Sequence, residues 1–195
     1  MAQFKAFAPN VEVNGQTVLA IVAGMSWSQS EGLKILARHG IDEPQPELWY
    51  SQQAWLDSFS EIAETIGPHT LYQIGTKIPE SAKFPPNIIS LEQGLASINV
   101  AYHLNHRGGE IGSYQLLNVA DNQATMVCHN PYPCDFDRGL IVATAQHFAP
   151  SGAAVNIQHD TSQGCRKLGA ESCTYLIDWL LYKSRRGMTG TLKSQ

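Results

Sequence analysis

Two cysteines late in the chain, Cys165 and Cys173, constrain it most. A mostly polar loop of seven residues separates them and contains Gly169. An alternating stretch follows at once. Side chains along a strand point to opposite faces in turn, so Cys173, Tyr175, Ile177 and Trp179 share one face and Thr174, Leu176 and Asp178 the other. Such a strand has to be paired and covered by elements made earlier. The segment from 110 to 160 is the expected source of those partners.

Composition sets the class. The chain has 195 residues, enough for a sizeable core, with 43% hydrophobic and 15% charged residues. A surface so sparsely charged fits a chain that buries part of its outside in an oligomer. Four of the 13 basic residues, Lys183, Arg185, Arg186 and Lys193, fall after position 182, where there is no acid. Residues 1–182 therefore set 9 bases against 17 acids, a formal −8. That balance is a poor match for a phosphate backbone, so no nucleic-acid partner is expected. The basic end, 183–195, reads as a flexible solvated tail. No run of about 18 apolar residues is present, so no membrane span is expected. Met1-Ala2-Gln3-Phe4-Lys5 lacks the regions of a signal peptide. The expected location is cytoplasmic, where the four cysteines read as thiols or metal ligands rather than disulfides.

The first half reads as helical. Asn14 caps a helix expected over 15–25, with Val18, Ile21, Val22 and Met25 on one face. The alternative is a hairpin turned at Asn14-Gly15; the spacing of three and four favours the helix. Ser28 and Glu31 suit a capping box, and the helix they open ends at His39-Gly40. The clearest helix spans 52 to 66, striped by Trp55, Phe59, Ile62, Ala63 and Ile66, and Gly67-Pro68 stops it. A short helix over 70–77 and another capped by Ser90, running to 105, complete this half. Strands follow at 110–119 and 124–128, joined by a hairpin turn. A helix opened by Asp135 or Asp137 runs to 148, and strands cover 153–158 and 173–179. This order predicts an α+β fold: a helical N-terminal half packed on a C-terminal antiparallel sheet of about four strands with one inserted helix. One ligand-binding-type domain over 1–182 is expected, helical over 1–109 and sheet-bearing over 110–182.

From 110 to 179 the chain resembles the 4-vinyl reductase domain family. The resemblance is carried by Cys134 with Gly139 five positions on at a helix, then a strand, then Cys165, Gly169 and Cys173, then the Tyr175-Leu176-Ile177 strand. It implies a fold shared with NO-signalling haem domains and Golgi-transport subunits. Some members are linked to reducing a vinyl group on chlorophyll precursors. Others are sensor domains of aromatic-responsive transcription activators, which dimerise, hold a small hydrophobic ligand beside the sheet and bind a structural zinc through three cysteines and a Glu. Cys134, Cys165 and Cys173 take the three cysteine positions. The Glu position is Ser162, a poor zinc ligand. His159, Asp160, Cys128 or His129 could substitute, and His159 completes the expected set. The competing reading is four reduced cysteines buried as small hydrophobes.

The same resemblance makes Tyr114, Leu116, Met126, Phe136 and Leu140 the expected lining of an apolar ligand pocket, against the plainer reading that they are core. His103 and His106, three apart at a helix end, read as an imidazolium favoured by the helix C-terminus and a polar loop residue. Asp135 and Asp137 read as helix caps. The haem relatives use a Tyr-x-Ser-x-Arg signature that Tyr102 and Ser113-Tyr114 do not complete, so haem is not expected. No phosphate loop, nucleophile elbow or nicotinamide or flavin fingerprint is present. The expected function is a non-catalytic sensor or regulatory domain for an aromatic or tetrapyrrole-like ligand. It is expected to act as a homodimer through its helical half, with a downstream signalling protein as partner. The rival expectations are a tetrapyrrole vinyl reductase or its accessory, and a structural adaptor without ligand.

Overall fold

The structure, a computed structural model, describes residues 3–181; of Leu181 only the backbone is described. The basic stretch 183–195 lies outside the described residues. The architecture is α+β, with helices in the first half and an antiparallel sheet in the second. The first half opens with β1 (Glu12–Asn14) and two short helices, α1 (Gly15–Val18) and α2 (Ala20–Gly24). Asn14 caps as expected: its side-chain oxygen accepts from the Thr17 amide at 2.9 Å. The expected continuous helix over 15–25 is broken at Leu19. Helix α3 (Gln29–Arg38) follows, but Ser28 makes no side-chain cap, so the capping-box reading is corrected.

Strand β2 (Trp49–Ser51) leads into α4 (Gln52–Thr65). Its apolar stripe is buried as the spacing dictates, at Trp55, Phe59 and Ile62. Helix α5 (Pro68–Ser81) is longer than expected. Pro68 at its start needs no amide partner, and Pro79 sits in its last turn, where the helix is already ending. Helix α6 (Leu91–Leu104) is capped by Ser90, which accepts from the Gln93 amide at 3.2 Å. Strand β3 (His106–Arg107) then pairs with β1, giving a small antiparallel sheet in the order β2-β1-β3 that the sequence did not suggest.

The main sheet contains β4 (Ser113–Ala120), β5 (Gln123–His129), β6 (Ala153–Asp160) and β7 (Cys173–Leu181), in the order β4-β5-β7-β6, antiparallel throughout. Strand β4 starts later than expected because Gly112 turns the chain at φ +83°, where a side chain would be strained. Helix α7 (Cys134–Phe148) is inserted between β5 and β6. The β7 alternation is as expected: Cys173, Tyr175, Ile177 and Trp179 are all buried.

Helices α5 and α7 lie backbone to backbone. A Cβ on Gly75 would fall 2.1 Å from the Phe136 carbonyl oxygen, and one on Gly139 would fall 2.1 Å from that of Tyr72. This contact brings the helical half onto the sheet half. It also gives Gly139, part of the family-like pattern, a packing reason. One core cluster of buried residues runs through both halves. At its centre Trp55, Phe59, Tyr132 and Phe136 contact one another in tilted and edge-on pairs.

Candidate metal centre and ligand cavity

Four segments meet at one corner of the sheet. Pro133, extended at φ −68°, leads into α7 so that Cys134 is its first helical residue. Strand β6 ends at Asp160, whose carboxylate accepts from the Ser162 amide and starts a tight turn. Gly164 and Gly169, both at positive φ, let the chain double back and re-enter the sheet at Cys173. Cys165 lies between those glycines, and His159 sits on β6 opposite Tyr175, its ring stacked on the phenol at 4.8 Å.

The sulfurs of Cys134 and Cys165 are 3.3 Å apart, those of Cys134 and Cys173 3.4 Å, and those of Cys165 and Cys173 3.9 Å. With His159, the four donor atoms lie within 4.8 Å of one another. Three thiolates around a tetrahedral zinc at about 2.3 Å would sit about 3.8 Å apart, close to what is seen. His159 Nε2 is buried with no hydrogen-bond partner among the described residues, as expected of a nitrogen meant for a metal. The donor set therefore fits zinc. Among the alternatives for the fourth corner, Asp160 is occupied by Ser162, His129 packs on Phe7, and Cys128 lies outside the group. The hydrogen bond with Cys134, helped by the charge of Arg166, pulls the Cys173 thiol well below its ordinary range. Its partner Cys134 is pushed up by the same bond and by burial. Gln3 donates to the Cys134 sulfur at 2.7 Å, and Tyr175 donates to the Cys134 carbonyl at 2.7 Å.

Beside this corner lies an ion pair that sequence reasoning missed. Asp137 and Arg166 pair with side-chain exposures of 0% and 1%, so neither charge is shared with water. Asp137 is thus not the cap it was read as. Burial raises its carboxyl to about 6, against the opposing charge of Arg166. Tyr114 donates to Asp137 at 2.6 Å, and Arg166 also donates to the carbonyl and side-chain oxygens of Asn130.

On the other side of Tyr114 an apolar cavity of about 30 Å³ lies between helices α4 to α7 and β4. Its lining includes Trp55, Ile78, Tyr102, His106, Tyr114, Tyr132, Phe136 and Leu140. Three of the five expected lining residues, Tyr114, Phe136 and Leu140, are there. Met126 is instead buried in the core, and Leu116 packs against it. His106 is not a solvated polar residue. Its Nδ1–H donates to the Tyr102 carbonyl at 2.7 Å, leaving Nε2 to accept from the Tyr132 hydroxyl at 2.6 Å. Tyr132 accepts in turn from Gln52 at 3.0 Å. Burial lowers the His106 pKa to about 4, so the ring is neutral and belongs to the core rather than to a polar loop. Trp55, also on the lining, has a buried indole N–H without a hydrogen-bond partner among the described residues. No short pattern marks these residues; the signal that could have found them is the buried stripe of α4 meeting the end of α6.

No protein-family model and no curated protein sequence matches the chain. Solved structures do. An H-NOX protein from S. oneidensis, a triple mutant in the Fe(II) ligation state, superposes with TM-score 0.61 at 18% identity, over 88% of this chain and 98% of that one. The Fe(II)NO form from S. oneidensis gives 0.60 at 17%, over 86% and 99%. An unliganded Fe(II) H-NOX mutant from K. algicida gives 0.58 at 14%, over 86% and 96%.

The fold is that of the H-NOX proteins. It is the wider fold implied by the C-terminal pattern; the narrower 4-vinyl reductase name finds no match. The expectation that set haem aside is corrected. The H-NOX structures sharing this fold are iron proteins in Fe(II) and Fe(II)NO states, so one missing signature is no ground for excluding haem from this architecture. In the arrangement seen here, however, a macrocycle does not fit. The space is about 30 Å³ against roughly 300–1,000 Å³ for ordinary small-molecule sites. Both ring nitrogens of His106 are engaged, and no lysine or arginine lines the cavity.

Proposed function

We propose that the chain is a non-catalytic, ligand-responsive sensor domain with an H-NOX-like fold. Its cavity at His106, about 30 Å³ as it stands, would widen around a small hydrophobic molecule, and the corner formed by Cys134, Cys165, Cys173 and His159 would hold a structural zinc ion. The observation that carries the ligand reading is a buried, neutral His106 facing an apolar space that also borders Trp55, whose N–H is unpaired. A buried donor without a partner is costly, and an acceptor on a ligand would relieve it. Tyr114, Phe136 and Leu140 would contact that ligand directly. Leu116 and Met126 would support the strands behind them.

Zinc, once bound, supplies structural cross-linking. The residues hold the donors: Pro133 aims Cys134, the two glycine turns bring Cys165 beside Cys173, and Tyr175 stacks on His159. The four cysteines are unpaired thiols, which suits a reducing cytoplasmic compartment. Among the described residues no helix is long and apolar enough to cross a membrane. The domain acts as a homodimer and passes its signal to a partner protein; Trp27 and Leu33 near α3, and Val100 with Leu104 on one face of α6, offer exposed apolar surface for such contacts. A structural adaptor without ligand is the second reading, favoured by the small size of the cavity.

Titration decides between them. Haem, a metal-free tetrapyrrole and a panel of small aromatics are each added to the purified protein while Trp emission and visible absorption are followed. Saturable quenching, lost in a His106→Phe variant that remains folded, supports the sensor reading. Flat curves for every compound favour the adaptor.

A further inference from the structure

The buried groups between the cavity and the thiol corner form a continuous chain of contacts. Two residues of the cavity lining end on it. Tyr114 donates its hydroxyl to Asp137 at 2.6 Å, and the Tyr132 backbone amide donates to Asn130 Oδ1 at 2.9 Å. Asn130 and Asp137 are held together by Arg166, and Asn130 Nδ2 lies 3.4 Å from both Asp137 oxygens. The far end of the chain is a sulfur. Arg166 brings its backbone amide to 3.4 Å and its Nε to 3.5 Å from Cys173 Sγ, and it directly follows Cys165 in sequence. One guanidinium thus touches α7, the β5–α7 connection and the thiol corner at once. A buried ion pair loses most of its compensation if one partner moves alone, so a displacement of Asp137 carries Arg166 with it. Packed interiors transmit such shifts rather than absorb them.

We propose that the Asn130–Asp137–Arg166 cluster couples the His106 cavity to the thiol corner, so that whatever shifts Tyr114 or Tyr132 changes how firmly Cys173 and Cys165 are held. The coupling is reciprocal: metal at the corner changes ligand affinity in the cavity by the same factor. This rests on the ligand and metal readings given above, but the contacts themselves do not depend on either being occupied.

The test uses the full chain and the variant Tyr114→Phe, which removes one hydroxyl from Asp137 without touching a sulfur. Two rates are measured: transfer of zinc to a chromogenic chelator, and alkylation of Cys173 by iodoacetamide in metal-free protein. Ser97→Ala, which removes a buried hydroxyl on α6 bonded only to the Gly94 carbonyl, is the control. Tyr114→Phe is expected to change both rates by about fivefold or more, within the usual span of coupling between sites, while the control matches the parent protein. Parent-like rates in Tyr114→Phe, or equal changes in both variants, overturn the proposal. Asn130→Ser, on the other arm of the cluster, replaces Tyr114→Phe if that variant does not fold. If the parent protein holds no zinc the metal reading fails separately, and the alkylation rates alone decide the coupling.

Discussion

His106 is the residue whose chemistry the fold changes most. An unfolded histidine gains its proton below about pH 6.5, whereas in the folded chain burial holds His106 neutral down to about 4. The folded state then binds fewer protons in that window. The stabilising contribution is complete above about 6.5 and is lost as pH falls towards 4, amounting to about 2 kcal/mol by about pH 5. Asp137 acts in the opposite sense: its carboxyl is raised to about 6, so its contribution is present at low pH and lost as pH rises through 6. The comparison with His106→Gln isolates the histidine. Urea unfolding should show the parent losing about 2 kcal/mol more than the variant between neutral pH and about pH 5. Matching slopes would mean that His106 is not desolvated. Little of this was legible beforehand, because a pair of histidines three apart at a helix end looks solvated until β3 pairs with β1 and Tyr132 folds over the ring. The thiol residues were legible. Cys165 and Cys173 flank a glycine-bearing loop that closes on itself locally, whereas Cys134, 31 residues before Cys165, entered only through the family resemblance and His159 was chosen among candidates.

At the level of elements, the close crossing of α5 and α7 makes a sharp prediction. Gly139→Val would drive a branched side chain into the Tyr72 carbonyl, so the helices must separate or the rotamer distort. A loss of about 1–3 kcal/mol is expected from such overpacking, read as a shift of the urea midpoint with the slope preserved. Ala96→Val, at an exposed position of α6, is the control; Gly40→Val is not, because φ at Gly40 is +82°. The long elements were readable because burial follows their periods: three and four in α4 and α6, two in β7. The small β2-β1-β3 sheet was not, since strands of two or three residues carry no period and exist only through pairing with strands distant in sequence, Glu12 with Ser51 and with Arg107. Separation in sequence also explains Asp137, 29 residues from its partner. Read locally it is a first-turn acid, and only Arg166, brought back by the turn at Gly164, makes it a buried partner.

Across the molecule, the corner of Cys134, Cys165, Cys173 and His159 would act as a clasp once zinc is bound. It joins the start of α7 to the end of β6, the turn carrying Cys165 and the start of β7; β6 and β7 are already paired as strands, and α7 is otherwise tied to them by packing and by the Arg166–Asp137 pair. Removing metal with a chelator should therefore destabilise the whole fold. At a metal level a thousandfold above the dissociation constant the contribution is about 4 kcal/mol, visible as a lower Tm that added zinc restores. His159→Ala should show the parent's metal-free Tm, or a lower one, and respond weakly to zinc. The ligand cavity and the proposed dimer belong to this scale too, because a sensor must bind, change and pass the change on.

One measurement reaches all of these at once: native mass spectrometry of the full chain purified without chelator. Expected are one zinc per chain, a dimer mass, and an added small-molecule mass or a mass shift on incubation with a ligand that quenches Trp emission. A bare, metal-free monomer that takes up neither zinc nor any such compound would contradict this expectation.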